Sequence, residues 1–397
     1  MDGSHRPGTT PTHPVGAWAV DRRPAVHALP GPIPENPWPH IIGSGEDHTM
    51  RMGVVGLRQG LHMADWARRI GIDVVAGCDV DPATAQRAAT RMPALTLVEH
   101  WRELLHLNLD AVLLTNDFDA HAPLAMTFLE HGVHVLSETA ACTTAQEGAD
   151  LLATAQAAQA TYSFAENYVL HPHVRLLRAL AHQGTLGEID LIEADYLHAM
   201  APQAVHDLIG DPGHWRGRIP PTAYCTHSLS PILAITQAMP VQVTAFPVHT
   251  SSPRQACVMA VRLSTGALAL TRNGFLQGEP DSHWSRLSVH GTRAAAESGR
   301  SPGERAWSVR VRHQGWTRAD GRIHEAEHSA PPVLVDGVPV PRGQEGTVLV
   351  LQGLRATVEE GTPPPVGVRE AVAASLVGVA GARSLREGSV PIPVPLP

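Results

Sequence analysis

Apolar residues occur along this chain in two alternating patterns. From Met52 to Ser137, short apolar runs alternate with stretches in which apolar residues recur every three to four positions. The short runs predict buried strands and the longer stretches predict helices, because side chains alternate along a strand but repeat about every 3.6 residues along a helix. Strands are predicted at residues 53–56, 72–79, 109–115 and 134–137, and helices at residues 61–70, 82–92 and 123–131.

Strands that alternate with helices are typical of βαβ units, which build a parallel sheet with right-handed crossovers. The second predicted helix has a suitable start, since Asp81 is a good N-cap and Pro82 fits the first helical position. We therefore expect an α/β domain with a parallel sheet over residues 50–167.

The pattern changes after about residue 168. A helix is predicted over residues 174–182, followed by strands at residues 189–194, 241–247, 257–263, 267–272 and 286–290. Their alternation of apolar and polar residues is typical of an antiparallel sheet with one exposed face. With two late helices at residues 346–360 and 368–385, residues 168–397 are predicted to form a second α/β domain with an open, mainly antiparallel sheet.

Residues 1–49 differ from both domains. They are rich in Pro, Gly, His and Thr and show no sustained period of either kind. This composition favours an extension that is disordered or laid over the body of the protein.

The bulk composition narrows the class of partner. A net charge of −8 disfavours nucleic acid and anionic membranes, and no apolar run is long enough to span a bilayer. The beginning of the chain lacks a signal-peptide layout, and the four cysteines show no CxxC pairing. These features favour a cytoplasmic protein with reduced thiols.

The chain contains no lysine, so all 30 basic residues are arginines. Arginine stays protonated at any working pH, whereas lysine can be tuned to exchange a proton. Schiff-base chemistry, a phosphate-binding loop lysine and a lysine acid or base are therefore excluded.

A glycine turn, Gly56-Leu57-Arg58-Gln59-Gly60, follows the first predicted strand and opens a helix. Such a turn lets a pyrophosphate approach the backbone, and the helix N-terminus offers free N–H groups to it. Arg58 stands where a second glycine is usual, so it either contacts the pyrophosphate or is an exposed structural arginine. Asp79 ends the second strand, where a carboxylate binds the adenosine ribose and repels a 2′-phosphate, which favours NAD over NADP. The alternative is a structural glycine turn.

Several weak motifs in register resemble the Gfo/Idh/MocA family of oxidoreductases. They lie at residues 110–116, 121–125, 134–140, 166–168, 184–189, 215–216 and 226–229. The resemblance implies a Rossmann domain and a second α/β domain whose open sheet often mediates oligomers, hence a homo-oligomer. It also implies a small-molecule carbohydrate substrate, since members usually oxidise or reduce sugars, inositols and related polyols with NAD(P).

The chain departs from the family at its Glu-Lys-Pro motif, which appears here as Glu138-Thr139-Ala140. The missing lysine is commonly the proton-transferring group, and threonine has no useful pKa near neutrality. Two positions that are usually acidic in the family, one before and one after the site histidine, are occupied here by Ala223 and Ser230. Either another residue transfers the proton or the net reaction differs.

Hydride transfer from an alcohol requires a base for the hydroxyl proton. His227 is the first candidate, because it matches the family's site histidine and imidazole titrates near working pH. Tyr224 shares a face with His227 if the segment is helical, and Tyr168 follows the strand that ends near Phe164. Each tyrosine either relays a proton or is a core residue.

The resemblance also implies the surroundings of the site. Glu138 is expected near the nicotinamide, and the other candidates for the cofactor cleft are Thr115, Asn116, His121 and Asn167. The candidates for substrate binding are Arg216, Trp215, His171 and His198, although Arg216 equally fits an ion pair that orders its loop. No trio of histidines has zinc spacing, so no metal is predicted.

Three hypotheses follow. The first is NAD-dependent oxidation of a ring hydroxyl of a sugar, glycoside, aminosugar or cyclitol. The second is a redox-neutral glycosidase, epimerase or lyase that oxidises a sugar carbon transiently. The third is a non-catalytic NAD-binding sensor, which the missing lysine suggests and the presence of His227 and Tyr224 opposes.

Overall fold

The computed structural model describes residues 49–249, 256–275, 285–298 and 307–395. The predicted extension over residues 1–49 lies outside the described residues except for its last position.

The first half of the described chain alternates strands with helices. Its strands are β1 (Arg51–Val55), β2 (Asp73–Cys78), β3 (Thr96–Leu97), β4 (Ala111–Leu114), β5 (His134–Ser137) and β6 (Tyr162–Phe164). Its helices are α1 (Gln59–Arg69), α2 (Pro82–Arg91), α3 (His121–Glu130) and α4 (Ala145–Ala157). In the described residues the strands form one parallel sheet in the order β3-β2-β1-β4-β5-β6. This confirms the predicted Rossmann fold.

The second half begins with α5 (Pro172–His182), β7 (Ile189–His198), α6 (Pro202–Ile209), α7 (Trp215–Arg218) and α8 (Thr226–Thr236). Strands β8 (Pro240–Pro247), β9 (Ala256–Leu263), β10 (Leu268–Phe275), β11 (Leu287–Gly291), β12 (Ala294–Ser298), β13 (Ser308–His313) and β14 (His324–Ser329) follow. The remaining elements are the hairpin β15 (Leu334–Val335) and β16 (Val338–Pro339), then α9 (Glu345–Glu360), α10 (Val368–Arg386) and β17 (Ile392–Pro393).

Most of these strands form a second sheet, which within the described residues has the order β14-β13-β12-β11-β7-β10-β9-β8-β17. Its neighbouring strands are antiparallel except for the parallel pair β7 and β10. Helices α8 and α10 contact one face of this sheet. The prediction of a mainly antiparallel sheet is confirmed.

Both faces of the parallel sheet are buried, which explains why its strands are apolar along their whole length. Neighbouring residues of β1 belong to different cores: Val54 packs with residues of α9 such as Leu351, whereas Val55 belongs to the core that includes Val372 of α10. The two C-terminal helices therefore cover the first sheet as well as the second half of the chain.

None of the helices in the described part of the chain combines the length and the apolar character needed to cross a membrane. The four cysteines, Cys78, Cys142, Cys225 and Cys257, are free thiols and all are buried.

Candidate active site and cofactor cleft

The glycine turn after β1 passes close to the end of β4. Gly56 has φ +88°, and a Cβ atom there would lie 2.7 Å from the carbonyl oxygen of Thr115. A Cβ atom at Gly60 would lie 2.6 Å from the Thr115 hydroxyl. Only glycine meets both requirements. The Thr115 hydroxyl donates to the carbonyl oxygen of Gly56, so this residue, predicted to line the cofactor cleft, also shapes the turn from within.

Asp79 lies beside this turn, directly after β2. Its carboxylate accepts the N–H of Leu57 at 2.6 Å and the N–H of Asp81 at 2.9 Å. Because a carboxylate offers about four acceptor positions, it can still accept ribose hydroxyls. Helix α1 starts at Gln59 without a side-chain cap, and Arg58 is exposed at its N-cap. The turn, the uncapped helix and the carboxylate together fit an adenine dinucleotide.

Asn116, which follows the end of β4, supplies an orphaned acceptor. Its Oδ1 atom is buried and has no hydrogen-bond partner among the described residues, while its Nδ2 donates to the carbonyl oxygen of Asp117. A buried acceptor normally has a partner, so a ligand that carries an N–H or O–H donor fits here.

Two other residues predicted for the cofactor cleft are held by the protein itself. The ring nitrogens of His121 both lie 3.1 Å from carbonyl oxygens, those of Ala140 and Asn116, and the residue is 1% exposed. Burial lowers the pKa of His121 to about 4, so the ring is neutral. Asn167 donates to the hydroxyl of Thr347 in α9. A neutral ring has one N–H, so His121 donates to only one of these two carbonyl oxygens.

A histidine–carboxylate pair lies at the centre of the site. The Nδ1 atom of His227, in the first turn of α8, is 2.8 Å from Oε1 and 3.1 Å from Oε2 of Glu166, which follows β6. The Glu166 side chain is fully buried and that of His227 is 11% exposed. A carboxylate accepts only, so Nδ1 carries the proton and the Nε2 atom of the neutral ring is left as the acceptor.

Opposing effects set the pKa of His227. Burial by itself lowers it, because a charged imidazolium is poorly solvated inside the protein. The carboxylates of Glu166 and Glu138 more than offset this effect, and the net pKa lies above its ordinary value. His227 thus has the properties of a base that is stabilised once it has accepted a proton.

Three tyrosines surround the imidazole. The Tyr168 ring is stacked on it with centroids 4.5 Å apart, and the centroids of Tyr196 and Tyr224 lie 4.6 Å and 5.9 Å away. Burial raises the pKa of all three phenols, so they remain neutral hydroxyl groups at working pH. Tyr224 lies in a short 3-10 turn before α8, and its hydroxyl accepts from Nε of Arg216 at 3.4 Å.

The family's lysine position is filled by a hydrogen-bonded threonine. The Thr139 hydroxyl lies 2.6 Å from that of Thr226, and both residues are buried. The pKa of Glu138, the neighbour of Thr139 in the chain, depends on the charges of His227 and Glu166. Burial and the charge of Glu166 raise the pKa of Glu138 to about 7, although the charge of His227 opposes this. A carboxyl group close to half-protonated at neutral pH therefore lies next to the His227–Glu166 pair.

The Trp215-Arg216 motif forms one wall of the site. Trp215 stacks on Phe118 with centroids 4.6 Å apart, and the Arg216 guanidinium lies over the Trp215 ring at 4.5 Å. Phe118 also contacts Tyr224 edge-on at 5.1 Å. Arg216 is thus oriented by two aromatic partners and not by the ion pair that the sequence left open.

His171, predicted to bind substrate, packs against the ring of Tyr168. This residue is fully buried, its ring lies behind Tyr168 at 4.7 Å, and its Nδ1 atom lies 3.1 Å from the Ser285 hydroxyl. Burial, followed by the charge of His173, lowers its pKa well below the ordinary value. His198 is closer to the site, since its ring meets that of Tyr196 edge-on at 4.6 Å.

Sequence reasoning missed two residues of the centre. Glu166 belongs to the matched segment Glu166-Asn167-Tyr168 but was not identified as the partner of His227, which lies 61 positions away. Tyr196 lies on β7 and carries no local motif. The alternation of β7 places Tyr196 and His198 on one face, and this was the available signal.

Residues 50–166 match the sequence model of the family described as "Oxidoreductase family, NAD-binding Rossmann fold", GFO_IDH_MocA. The match covers 117 of the 397 residues and ends before the second sheet. Its boundaries enclose the glycine turn, Asp79, Glu138 and Glu166.

The similarity of the chain to curated proteins is distant. A glycosyl hydrolase family 109 protein of Shewanella woodyi is 27% identical over 46% of this chain and 43% of its own length. An alpha-N-acetylgalactosaminidase of Bacteroides fragilis is 24% identical over 62% of this chain and 60% of its own length. The chain thus spans about half the length of the curated relatives it matches.

Solved structures share the fold of the parallel sheet and of the second sheet together. A levoglucosan dehydrogenase in complex with NADH and levoglucosan superimposes with a TM-score of 0.74 at 17% identity, covering 88% of this chain and 100% of that one. An inositol dehydrogenase homologue from Azotobacter vinelandii, in complex with NADH and myo-inositol, gives a TM-score of 0.70 at 18% identity over 87% and 98% of the two chains.

Proposed function

We propose that this protein is an NAD-dependent enzyme that oxidises a ring hydroxyl of a carbohydrate, with His227 as the proton acceptor. The observation that carries the proposal is the His227–Glu166 pair, which has a base oriented by a buried carboxylate and lies within reach of the charge of Glu138. The sugar-dehydrogenase names of the structural relatives support the substrate class.

The residues divide the work of such a reaction. Bound NAD⁺ supplies the hydride acceptor. The Nε2 atom of His227 takes the hydroxyl proton, and the Glu166 carboxylate stabilises the imidazolium that results. The neutral phenols of Tyr168, Tyr196 and Tyr224 surround this proton with aromatic surface and hydroxyl donors. Arg216 holds the Tyr224 hydroxyl and is available for substrate oxygens.

The absence of lysine is then explained by a replacement of the base. Thr139 occupies the lysine position but is paired with Thr226, which closes that route for a proton. His227, supported by Glu166, supplies the titrating group in its place. We regard the sensor hypothesis as the weaker one, because a protein without catalysis has no need of a base with a buried carboxylate behind it.

The proposal is tested by mixing the purified chain with NAD⁺ and a panel of sugars, inositols and glycosides while following NADH absorbance. We expect turnover of at least one carbohydrate and its loss in His227→Ala. His131→Ala is the matched control, because His131 is an exposed residue at the end of α3 whose ring contacts only its own helix. Equal turnover by His227→Ala and the wild type would remove His227 as the base.

A second candidate function is redox-neutral cleavage of a glycoside, which the glycosidase names of the curated relatives favour. A carbonyl formed on the sugar ring acidifies the neighbouring C–H bond, so elimination needs a second proton acceptor. Glu138, with a pKa of about 7, is suited to that role.

The two functions differ in their products. Incubation with glycosides without added NAD, followed by measurement of both NADH and free aglycone, separates them. Aglycone release without NADH accumulation supports cleavage, whereas NADH that forms in step with product supports net oxidation.

We also propose that the chain forms a homo-oligomer through the open face and edge of its second sheet. Val241 and Phe246 of β8 are 43% and 48% exposed and offer apolar surface to a second copy of the chain. Light scattering coupled to gel filtration measures the assembled mass. A monomeric mass at micromolar concentration would contradict this part of the proposal.

A further inference from the structure

An apolar recess adjoins the candidate site at Tyr196 and Tyr224, whose rings contact His227. It is lined by Tyr196, Ile209, Ile219, Pro220, Tyr224 and Phe275, among others. The recess is small and partly open to solvent. None of the described lining residues carries a charge.

The recess and the proposed reaction centre share two walls. Tyr196 and Tyr224 are stacked with centroids 5.8 Å apart, and the same two rings contact His227. A substrate whose ring hydroxyl faces His227 therefore has its neighbouring substituents against these tyrosines. The remaining walls come from Ile209 at the end of α6 and Ile219 just after α7, two elements that the sequence pattern did not predict.

The chemistry of the lining decides what fits. A sugar ring carries hydroxyl groups on most of its carbons, and burying them without partners costs free energy. The recess offers the phenol hydroxyls of Tyr196 and Tyr224 as its only side-chain polar groups among the residues that the structure describes, and the latter is bonded to Arg216. Aromatic rings, isoleucines and prolines instead favour a flat apolar group, which stacks on the tyrosines.

We propose that the recess binds a flat apolar aglycone, so that the substrate is a glycoside with an aromatic or similarly apolar substituent and not a free sugar. This inference rests on the proposed function and specifies its substrate class. The substituent contributes binding that a methyl group in the same position does not.

The test compares benzyl and methyl glycosides of N-acetylgalactosamine, galactose and glucose, in both anomeric forms, with the full chain and NAD⁺. Benzyl and methyl alcohols have similar acidity, so leaving-group chemistry does not separate the pair. For any sugar that is turned over, we expect kcat/KM to be at least about tenfold higher for the benzyl glycoside. Equal values, or a preference for the methyl glycoside, would overturn the proposal.

Two variants place a large ring in the recess. Ile219→Trp and Ile209→Trp are expected to remove the benzyl preference, so that kcat/KM for the benzyl glycoside falls at least about tenfold relative to that for the methyl glycoside. Leu208→Trp, a half-buried position on α6 outside the lining, is the matched control and should keep the preference. A benzyl preference that survives both substitutions in the recess would locate the apolar site elsewhere and refute the assignment.

A binding measurement tests the recess independently of the proposed reaction. Saturation-transfer NMR with benzyl alcohol as the probe requires no turnover. If no glycoside reacts, the proposed function fails, and the probe still decides the recess: binding that Ile219→Trp and Ile209→Trp abolish supports it. No binding to the wild type, or equal binding to both variants, overturns it.

Discussion

Replacing Glu166 by Gln removes one charge and leaves the shape of the side chain unchanged. In the structure the carboxylate lies 2.8 Å and 3.1 Å from Nδ1 of His227, and it raises the pKa of that imidazole against the effect of burial. A glutamine amide can donate to Nδ1 as well as accept from it. The variant therefore permits the tautomer in which Nε2 carries the proton and is no longer a base.

The size of the effect follows from these contacts. Because general base catalysis contributes about 10² to 10⁴ in rate, we expect kcat in Glu166→Gln to fall by at least about 10²-fold. The hydrogen bond to a charged group contributes about 1.5–3 kcal/mol, so the variant should still fold. With the carboxylate gone the pKa of His227 falls, and the acid limb of the pH–rate profile moves to lower pH while the plateau drops.

Two measurements check this prediction: the pH dependence of kcat with a reactive carbohydrate, and calorimetric titration with NAD⁺. Affinity for NAD⁺ should stay within a few-fold of the wild type. Glu147→Gln is the matched control, because Glu147 also accepts hydrogen bonds but caps α4 away from the site. A plateau within threefold of the wild type, or an acid limb that moves to higher pH, would refute the role given to Glu166.

Three further predictions concern stability. The pKa of Glu138 is about 7 in the folded protein and 4.5 ordinarily, so between these pH values the folded state binds a proton that the unfolded state has lost. This proton stabilises the fold at low pH, and the stabilisation is lost as the pH rises from 4.5 through 7. The effect of Glu138→Gln on the free energy of unfolding should therefore be more favourable at pH 8 than at pH 4, by up to about 3 kcal/mol. Urea titrations that show the same effect of the variant at both pH values would contradict this. Thr226→Val leaves the buried Thr139 hydroxyl without its partner and should cost about 1–3 kcal/mol, whereas the double variant with Thr139→Val should cost less than the sum of the two single changes in the same assay. Gly56→Ala, at φ +88° with its Cβ 2.7 Å from the Thr115 carbonyl, should destabilise by more than about 1 kcal/mol and weaken NAD⁺ binding; a melting temperature and a Kd that do not change would show that the turn is looser than described.

The architecture was predictable because it depends on local pattern. Strand and helix periods alternate from Met52 onward, and parallel order follows from the βαβ connection. The glycine turn and Asp79 were located for the same reason, since a tight turn and a strand end are marked by single residues. The hydrogen bond from the Leu57 N–H to Asp79 was not predicted, because it depends on how β1 and β2 lie beside each other in the sheet.

The reaction centre was only partly predictable. His227 and Tyr224 lie close together in the sequence, whereas Glu166 and Tyr196 reach the same point from elements far along the chain. The packing of His171 was not predictable, because nearness to Tyr168 in sequence does not reveal which side of the tyrosine ring it packs against. Such contacts are set by tertiary packing. A single sequence, without covarying positions, does not reveal them.

The central claim is that the turn at residues 56–60 and the carboxylate of Asp79 bind an adenine dinucleotide beside His227. The most direct measurement is calorimetric titration of NAD⁺ and NADH into charcoal-treated protein, in the wild type, in Asp79→Ser and in the exposed control Asp73→Ser at the start of β2. We predict saturable binding to the wild type and to Asp73→Ser, with at least about tenfold weaker binding to Asp79→Ser. Absence of binding with both oxidation states, or equal affinity in all three proteins, would contradict the account.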